Sequence, residues 1–268
     1  MKTATKLQER CHVLRSLHRS AAPLMLPNAW DVATAKAVVD AGFPVVATTS
    51  GGVAATLGYE DHEGAPADEM LAAAARISRA VDVPVTVDAE AGYGMEPERL
   101  VSALEDAGAA GCNLEDTNHA SGELRDPAEQ SDLLRGVREA ASDRDYPLVI
   151  NARIDLFLAD VLSGSSRPQS ELVPAAAARA QAYLDAGADC VFPILLWERE
   201  PLRDFISRAA GPVNILKIPP APALAELAEL GAARISYGTL LHRDAIEHFD
   251  GLLASLATDT EPWREASE

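Results

Sequence analysis

Four segments of this chain repeat one pattern, in which a helical stretch ends in glycine and a strand rich in apolar residues follows. The glycines are Gly42, Gly108, Gly187 and Gly231. Glycine just past a helix adopts the left-handed conformation that closes it. Strands that alternate with helices build a parallel sheet. The pattern therefore predicts an α/β fold with a parallel sheet.

Eight strands are predicted, each followed by an Ala- and Leu-rich helical stretch, and near-continuous apolar strands fit a sheet covered on both faces. Eight such units in 268 residues indicate one (β/α)8 TIM barrel domain over 1–268, with an N-terminal helix over 1–20 and a loose tail over 258–268. A doubly wound open sheet is the alternative, but no Gly-x-Gly-x-x-Gly fingerprint follows the first strand. The predicted strands cover residues 24–29, 45–50, 83–89, 111–116, 147–154, 189–195, 213–218 and 233–238. The clearest helices are predicted over 68–81, 96–107 and 171–186.

Charge and composition exclude several classes of partner. A net charge of −18 argues against nucleic acid and anionic membranes, so an anionic substrate needs local positive charge at its site. The chain has no apolar run of transmembrane length, and its basic N-terminus lacks the apolar core of a signal peptide. The three cysteines (Cys11, Cys112 and Cys190) lie far apart without metal-ligand spacing, which fits buried thiols. We expect a cytoplasmic protein.

Charged side chains concentrate at the carboxyl ends of the predicted strands, where barrel enzymes keep their active sites. Asp88 and Glu90 end the third strand and are two residues apart, so both side chains point the same way. Glu115 ends the fourth strand and Arg153 the fifth. Converging carboxylates repel each other unless a cation or a shared proton lies between them. An anion-plus-metal site is therefore predicted, although one acid of the pair could instead cap a helix while the other meets solvent.

Two further motifs at this rim suit an anion. Ser50-Gly51-Gly52 ends the second strand and offers backbone N–H groups to a carboxylate or phosphonate; a plain strand-to-loop turn is the alternative. Arg153 provides a bidentate fork for a planar carboxylate, or it pairs with Asp155 or Glu115. Oxygen ligands without His or Cys favour Mg²⁺ or Mn²⁺ as the metal.

Over roughly residues 20–240, the chain resembles the isocitrate lyase/phosphoenolpyruvate mutase superfamily. The resemblance rests on five motifs in this order: Pro27-Asn28-Ala29-Trp30-Asp31, Thr49-Ser50-Gly51-Gly52, Asp88-Ala89-Glu90-Ala91-Gly92-Tyr93-Gly94, Leu114-Glu115-Asp116 and Asn151-Ala152-Arg153. It implies a (β/α)8 barrel, Mg²⁺, and substrates that pass through an enolate of a 2-oxo acid. It also implies a homodimer or homotetramer in which the eighth helix is exchanged between subunits, and the apolar region from Leu240 to Leu256 suits such a surface.

The resemblance assigns roles to individual residues. Asp88 becomes the principal metal ligand, with Glu90, Glu115 and Asp61 around the ion, partly through water. Ser50, Gly51 and Gly52 hold the substrate carboxylate, and Arg153 holds the anionic group. Asn214 is a further substrate-binding candidate because of its place in the seventh predicted strand, apart from the resemblance. The superfamily usually has Asp at the position of Glu90, so the extra methylene should alter the coordination.

A larger departure follows the fourth strand. Carbon–carbon lyases of the superfamily carry Lys-Lys-Cys-Gly-His there, whereas this chain reads from Asp116 to Asp126 without Cys or Lys. The sixth strand ends Phe192-Pro193-Ile194, where lyases commonly have Glu after Phe-Pro. Cleavage of isocitrate or methylisocitrate by the usual route is therefore disfavoured, and phosphorus–carbon chemistry is weakened. His119 lies in this loop and is a candidate proton donor near neutral pH, with a solvent-facing loop residue as the alternative.

The sequence thus predicts a Mg²⁺-dependent lyase that cleaves or decarboxylates a small 2-oxo or 2-hydroxy dicarboxylate through a metal-stabilised enolate, with a pyruvate-like product. Arg153, Asp61 and His119 are the catalytic candidates. Phosphoenolpyruvate mutase or phosphonopyruvate hydrolase chemistry is the alternative within the enzymes. A Schiff-base aldolase using Lys217 and a non-catalytic anion-binding barrel also stay open.

Overall fold

Helices and strands alternate along the computed structural model, which describes residues 5–165 and 167–258. The helices are α1 (Lys6–Leu17), α2 (Val32–Asp40), α3 (Ser50–Leu57), α4 (Ala67–Ala80), α5 (Pro97–Asp106), α6 (Pro127–Asp143), α7 (Leu156–Leu162), α8 (Gln169–Asp185), α9 (Arg199–Arg208), α10 (Leu224–Glu229) and α11 (Leu240–Ala257). The strands are β1 (Leu24–Leu26), β2 (Asn28–Ala29), β3 (Val46–Thr48), β4 (Val85–Asp88), β5 (Gly111–Glu115), β6 (Thr117–Asn118), β7 (Glu123–Leu124), β8 (Val149–Ile154), β9 (Cys190–Pro193), β10 (Asn214–Leu216) and β11 (Arg234–Ser236). Gly42, Gly108, Gly187 and Gly231 have φ values of 89°, 74°, 106° and 93°, so the left-handed helix closures are confirmed.

Two parallel sheets join into a ring. Their strand orders are β1-β11-β10 and β2-β3-β4-β5-β8-β9. At one seam, β1 and β2 are two parts of the predicted strand 24–29, interrupted at Pro27, which has no N–H to donate to a ladder. At the other seam a parallel bridge pairs Val191 with Val213, and the Val191 N–H donates to the Pro212 carbonyl at 3.0 Å. Both seams are therefore closed, and the predicted (β/α)8 barrel is confirmed.

Local sequence explains where the helices around this ring begin. The Asp31 side chain accepts a hydrogen bond from the Thr34 N–H at 2.8 Å and caps α2. Pro97 and Pro127 occupy the first turns of α5 and α6, where a missing N–H costs nothing because that group would have no helical partner. The apolar faces of these helices pack on the buried strands, and α1 covers the ring near Leu148 through buried Cys11 and Leu14.

The barrel interior contains a polar layer beneath the carboxyl ends of the strands. Arg234 is only 1% exposed, and its Nη2 donates to Asn113 Oδ1 at 3.2 Å. Asn151 Nδ2 donates to the same oxygen at 2.9 Å. Asn113 Nδ2 in turn donates to Asp88 Oδ1 at 3.4 Å. The layer therefore supports Asp88 from below.

Helix α11 has no buried residue within the single chain. Its apolar side chains Ile246, Phe249, Leu253 and Leu256 are 45–55% exposed, and their spacing of three and four residues places them on one stripe. Among the described residues, no helix is both long and apolar enough to cross a membrane. Apart from Thr258, the predicted tail lies outside the described residues.

Candidate active site

A cavity of about 330 Å³ opens at the carboxyl ends of the barrel strands. It brings together four residues predicted from the sequence: Ser50, Asp61, Asp88 and Arg153. Its wall also includes Phe192 and Ile194 from the end of β9, Leu216 and Ile218 from the end of β10, and Tyr237, Thr239 and Arg243 from the segment after β11. The mixture of acids, arginines and apolar wall suits a small anionic ligand.

Asp88 is held in place at the end of β4. Its Oδ2 accepts a hydrogen bond from the Ser50 N–H at 3.0 Å, and its own N–H donates to Thr48 Oγ1 at 2.8 Å. The carboxylate is half-buried and lines the cavity. These contacts fix its direction while leaving oxygen lone pairs free for a ligand.

Ser50-Gly51-Gly52 forms the first turn of α3, and not the strand end or loop turn that the sequence predicted. Helix α3 packs on α4 through a small cluster that includes Val53 and Met70, which overrides the weak helix propensity of two glycines. A Cβ on Gly51 would lie 2.8 Å from Asp61 Oδ2 and 2.8 Å from Thr239 Oγ1. Glycine is therefore needed for Asp61 and Thr239 to approach this turn so closely.

Arg153 pairs with both acids that the sequence offered as alternatives. Its Nε and Nη2 donate to the two oxygens of Asp155 at 2.6 and 3.1 Å, and its Nη1 lies 2.5 Å from Glu115 Oε2. Asp155 also accepts from the Thr117 hydroxyl at 2.6 Å. Arg153 is 7% exposed and still reaches the cavity wall. The fork is thus oriented by Asp155 before any ligand binds.

His119 contacts Glu115 from the hairpin formed by β6 and β7. Its Nε2 lies 2.5 Å from Glu115 Oε1, and its side chain is 9% exposed, so the predicted solvent-facing alternative is wrong. Burial lowers the pKa of His119, but the hydrogen bond and charge of Glu115 outweigh this and raise it overall. Burial raises the pKa of Glu115, while Arg153 and His119 act in the opposite direction.

Glu90 is 2% exposed and has a left-handed backbone, with φ 48°. Its Oε2 accepts a hydrogen bond from the Glu63 N–H. Burial raises the pKa of Glu90 to about 8; this N–H opposes the shift, and the charges of Asp88 and Asp61 add to it. Burial and the neighbouring acids therefore both disfavour the ionised form of Glu90 in the absence of a cation.

The predicted metal ligands Asp88, Glu90 and Glu115 share the mouth, but they do not form the compact donor group. Among the described residues, that group consists of His62, Glu115 and His119, whose donor atoms lie within 4.8 Å of one another. His62 was not among the residues predicted from the sequence. The run Asp61-His62-Glu63 was an available signal, but its contact with the β6–β7 hairpin is long-range.

Two predicted residues of the seventh strand lie away from the cavity lining. Asn214 begins β10, so it lies in the polar layer, where its Nδ2 donates to Ser236 Oγ at 3.1 Å. Lys217 Nζ donates to the carbonyls of Ile218 and Ala221 at 3.1 and 3.0 Å. Lys217 therefore does not face the ligand as the aldolase alternative requires.

Arg243 is the cavity cation that sequence reasoning missed. It lies on α11 and lines the same cavity as Arg153, and no acid of residues 5–165 and 167–258 lies within ion-pair distance of it. Its guanidinium, unlike that of Arg153, has no counter-charge among these described residues. Arg243 follows β11 closely in the chain, and this position was the available signal, because segments after barrel strands carry function.

Comparison with known proteins agrees with this geometry. Residues 14–257 match the family model described as phosphoenolpyruvate phosphomutase. The uncharacterized protein Rv1998c of Mycobacterium tuberculosis is 35% identical over 225 residues, which are 84% of this chain and 81% of that protein. Probable 2-methylisocitrate lyase 2 of Corynebacterium glutamicum is 34% identical over 242 residues, covering 87% of this chain and 71% of the lyase.

A solved structure from Burkholderia cenocepacia J2315, provisionally named a phosphonomutase, is 40% identical with a TM-score of 0.84 and covers 92% of this chain and 99% of that one. The fold, the order of the rim motifs and these matches agree. The chain belongs to the phosphoenolpyruvate phosphomutase family and is an enzyme of the isocitrate lyase/phosphoenolpyruvate mutase type.

Proposed function

We propose that this protein is a Mg²⁺-dependent lyase that cleaves or decarboxylates a small 2-oxo or 2-hydroxy dicarboxylate. The supporting observation is a cavity whose acids form no ion pair within the described part of the chain, although two arginines line the same wall. Asp61, Asp88 and Glu90 form no ion pair with any described residue, whereas Arg153 and Arg243 line the same wall as Asp61 and Asp88. A hard divalent cation and a dianionic substrate complement this charge pattern.

The residues present fit such a cation. Burial raises the pKa of Glu90 to about 8, and the charges of Asp88 and Asp61 add to this shift, so a cation beside these carboxylates would favour their ionised forms. Asp88, Asp61 and Glu90 would hold Mg²⁺ or Mn²⁺, in part through water, because Mg²⁺ retains several waters and contacts few carboxylates. When bound, the ion supplies a Lewis acid for the carbonyl oxygen of the substrate.

The protein's own groups would orient the substrate. Helix α3 begins at Ser50, so the N–H groups of Gly51 and Gly52 are in its first turn, where helical carbonyl partners are absent. They would bind one substrate carboxylate. Arg153 would bind charge that develops on the reacting oxygen, since Asp155 already fixes its fork. Arg243 would bind the distal carboxylate.

A proton must reach the carbanionic carbon after bond cleavage, and His119 would supply it. Glu115 raises the pKa of the His119 imidazole, which favours the protonated ring that a proton donor requires. The Glu115 carboxylate would keep its hydrogen bond to His119 Nε2 and would balance the positive charge when the imidazole takes up a proton again. His119 would thus take the role of the loop cysteine and lysine, which the segment from Asp116 to Asp126 lacks.

A panel of 2-oxo and 2-hydroxy dicarboxylates, assayed for Mg²⁺-dependent release of pyruvate or another 2-oxo acid, tests the proposal. We expect turnover of at least one member, abolished by chelator and by Asp88→Ala. Chelator-resistant turnover, or an Asp88→Ala variant as active as the parent, would contradict it. Tight binding of Mg²⁺ and oxalate without turnover of any member would favour the non-catalytic barrel.

Phosphorus–carbon chemistry is the second candidate. The 40% identical Burkholderia structure with its phosphonomutase name favours it, while the absence of lysine between Lys36 and Lys217 weighs against it. Phosphonopyruvate belongs in the same panel. Release of phosphate from it, or formation of phosphoenolpyruvate, would assign this alternative.

We also propose that the enzyme is a homodimer or homotetramer whose copies cover α11. The exposed stripe on that helix (Ile246, Phe249, Leu253 and Leu256) supports this, since a contiguous apolar stripe is costly in water. Arg243 lies on the same helix, so assembly would also fix the position of a cavity residue. The expected partner is therefore a second copy of this chain.

A further inference from the structure

A second group of donors lies at the mouth, beside the carboxylates assigned above. His62 belongs to the α3–α4 loop, His119 to the β6–β7 hairpin and Glu115 to the end of β5. One donor atom of each lies within 4.8 Å of the others. The two imidazole centroids are 5.4 Å apart, with the rings tilted by 40°. We propose that these three residues form a distinct cation site for a borderline divalent metal such as Zn²⁺ or Co²⁺.

The loop that carries His62 is fixed in place without an ion. His62 and Glu63 have φ values of 67° and 58°, a conformation that residues other than glycine rarely adopt. Two hydrogen bonds hold the loop against the segment after β4. The Glu63 N–H donates to Glu90 Oε2, and the Tyr93 N–H donates to Glu63 Oε1 at 2.6 Å. Part of the entropic cost of assembling the ligands has therefore been met on folding.

The charges around the group favour a cation. Glu115 faces Arg153, but Asp155 already compensates that guanidinium through two hydrogen bonds. The negative charges of Glu63 and Glu90 also act on His119. Glu115 Oε1 and His119 Nε2 are hydrogen-bonded at 2.5 Å, and a metal would displace the proton of that bond.

The donor types select the metal. Two imidazoles and one carboxylate make up the ligand set of many three-ligand zinc sites. Imidazole favours Zn²⁺, Co²⁺, Ni²⁺ and Cu²⁺, whereas Mg²⁺ prefers oxygen. A cavity of about 420 Å³ lined by His62, His119 and Thr117 adjoins the group, so a water or an anion has room to complete the coordination.

Occupation of this site has a mechanical consequence. Its ligands come from the α3–α4 loop, the β6–β7 hairpin and the end of β5, so a bound metal joins that loop to that hairpin. It also engages Glu115 and His119, which the lyase proposal uses. Zn²⁺ should therefore inhibit turnover in the presence of excess Mg²⁺.

The test is a Co²⁺ titration of the intact, metal-free protein in excess Mg²⁺, followed by visible absorption and calorimetry. We expect one Co²⁺ per chain, with affinity at least about tenfold lower in His62→Gln and in His119→Gln, since even loss of an outer-shell partner costs about 10–100-fold. His12→Gln is the matched control, because His12 is an exposed residue of α1, on the N-terminal side of the barrel. Asp88→Ala should retain Co²⁺ binding.

Two results would overturn the proposal. One is Co²⁺ binding by both variants with the affinity of the His12→Gln control. The other is loss of Co²⁺ in Asp88→Ala with retention in the histidine variants, which would assign the ion to the carboxylate site. His62 is exposed, so its variant should fold and decides the matter even if His119→Gln does not. Absence of Mg²⁺ binding by the parent would sink the lyase proposal and leave this one standing.

Discussion

Replacement of Gly51 by alanine tests how closely the mouth is packed around the first turn of α3. The new Cβ would lie 2.8 Å from both Asp61 Oδ2 and Thr239 Oγ1. Both atoms are about 0.6 Å short of an ordinary contact, so one or both must move. Alanine gains at most about 1 kcal/mol in helix propensity, and overpacking costs about 1–3 kcal/mol. We expect a net loss of about 0–2 kcal/mol in the free energy of unfolding.

Function should respond more than stability does. Displacement of Asp61 disturbs the carboxylates of the proposed metal site, and a shift near 1 Å costs about 100-fold in rate. We expect Mg²⁺ affinity, measured by calorimetry, to fall on the order of tenfold. The control is Gly251→Ala in α11, where a Cβ meets nothing within 4 Å. Equal Mg²⁺ affinity and turnover in the two variants would refute the reasoning.

Three other substitutions probe separate parts of the account. Burial, together with Arg234, lowers the pKa of His18 to about 4 in the native state. The pKa of an unfolded histidine is near 6.5. Between about pH 4 and 6.5 the native state therefore binds fewer protons than the unfolded state. The free energy of unfolding should then rise by up to about 3 kcal/mol from pH 4 to 6.5, and a denaturation series showing the same slope in His18→Gln would contradict this. Tyr183→Phe removes the hydroxyl that donates to buried Asp116 Oδ2 at 2.6 Å; we expect a loss of about 1–3 kcal/mol in urea unfolding, and a loss below about 0.5 kcal/mol would be inconsistent with that hydrogen bond. Phe249→Asp places a charge on the exposed stripe of α11 and should reduce the mass measured by sedimentation to that of one chain, whereas an unchanged oligomer, or a parent that is already monomeric, would exclude the proposed contact.

The barrel could be predicted because its signals are local. Each of Gly42, Gly108, Gly187 and Gly231 marks a helix end by backbone conformation alone, and the strands that follow these glycines are rich in buried apolar residues. Strand ends then converge by the geometry of a parallel ring. Ser50, Asp88 and Arg153 could therefore be assigned to one mouth from the strand ends alone, whereas Asp61, in the α3–α4 loop, was assigned only through the family resemblance.

The rest depended on tertiary contacts. Ser50-Gly51-Gly52 reads as a turn by propensity, yet packing of α3 on α4 makes it helical. Asn214 lies below the mouth because β10 begins there, a register set by pairing with Arg234. His62 meets His119 through two loops whose positions no local pattern specifies. The sequence thus predicted the acids of the mouth and His119, but it did not indicate His62 beside them.

The central claim is that the acidic mouth binds a divalent cation at Asp88 and presents it to a 2-oxo acid. A crystal structure grown with Mg²⁺ and oxalate, a mimic of the enolate, tests this most directly. The account predicts an ion about 2.0–2.1 Å from an Asp88 oxygen, with oxalate between it and Arg153. A well-ordered mouth with oxalate bound elsewhere, or with no ion beside Asp88, would contradict it.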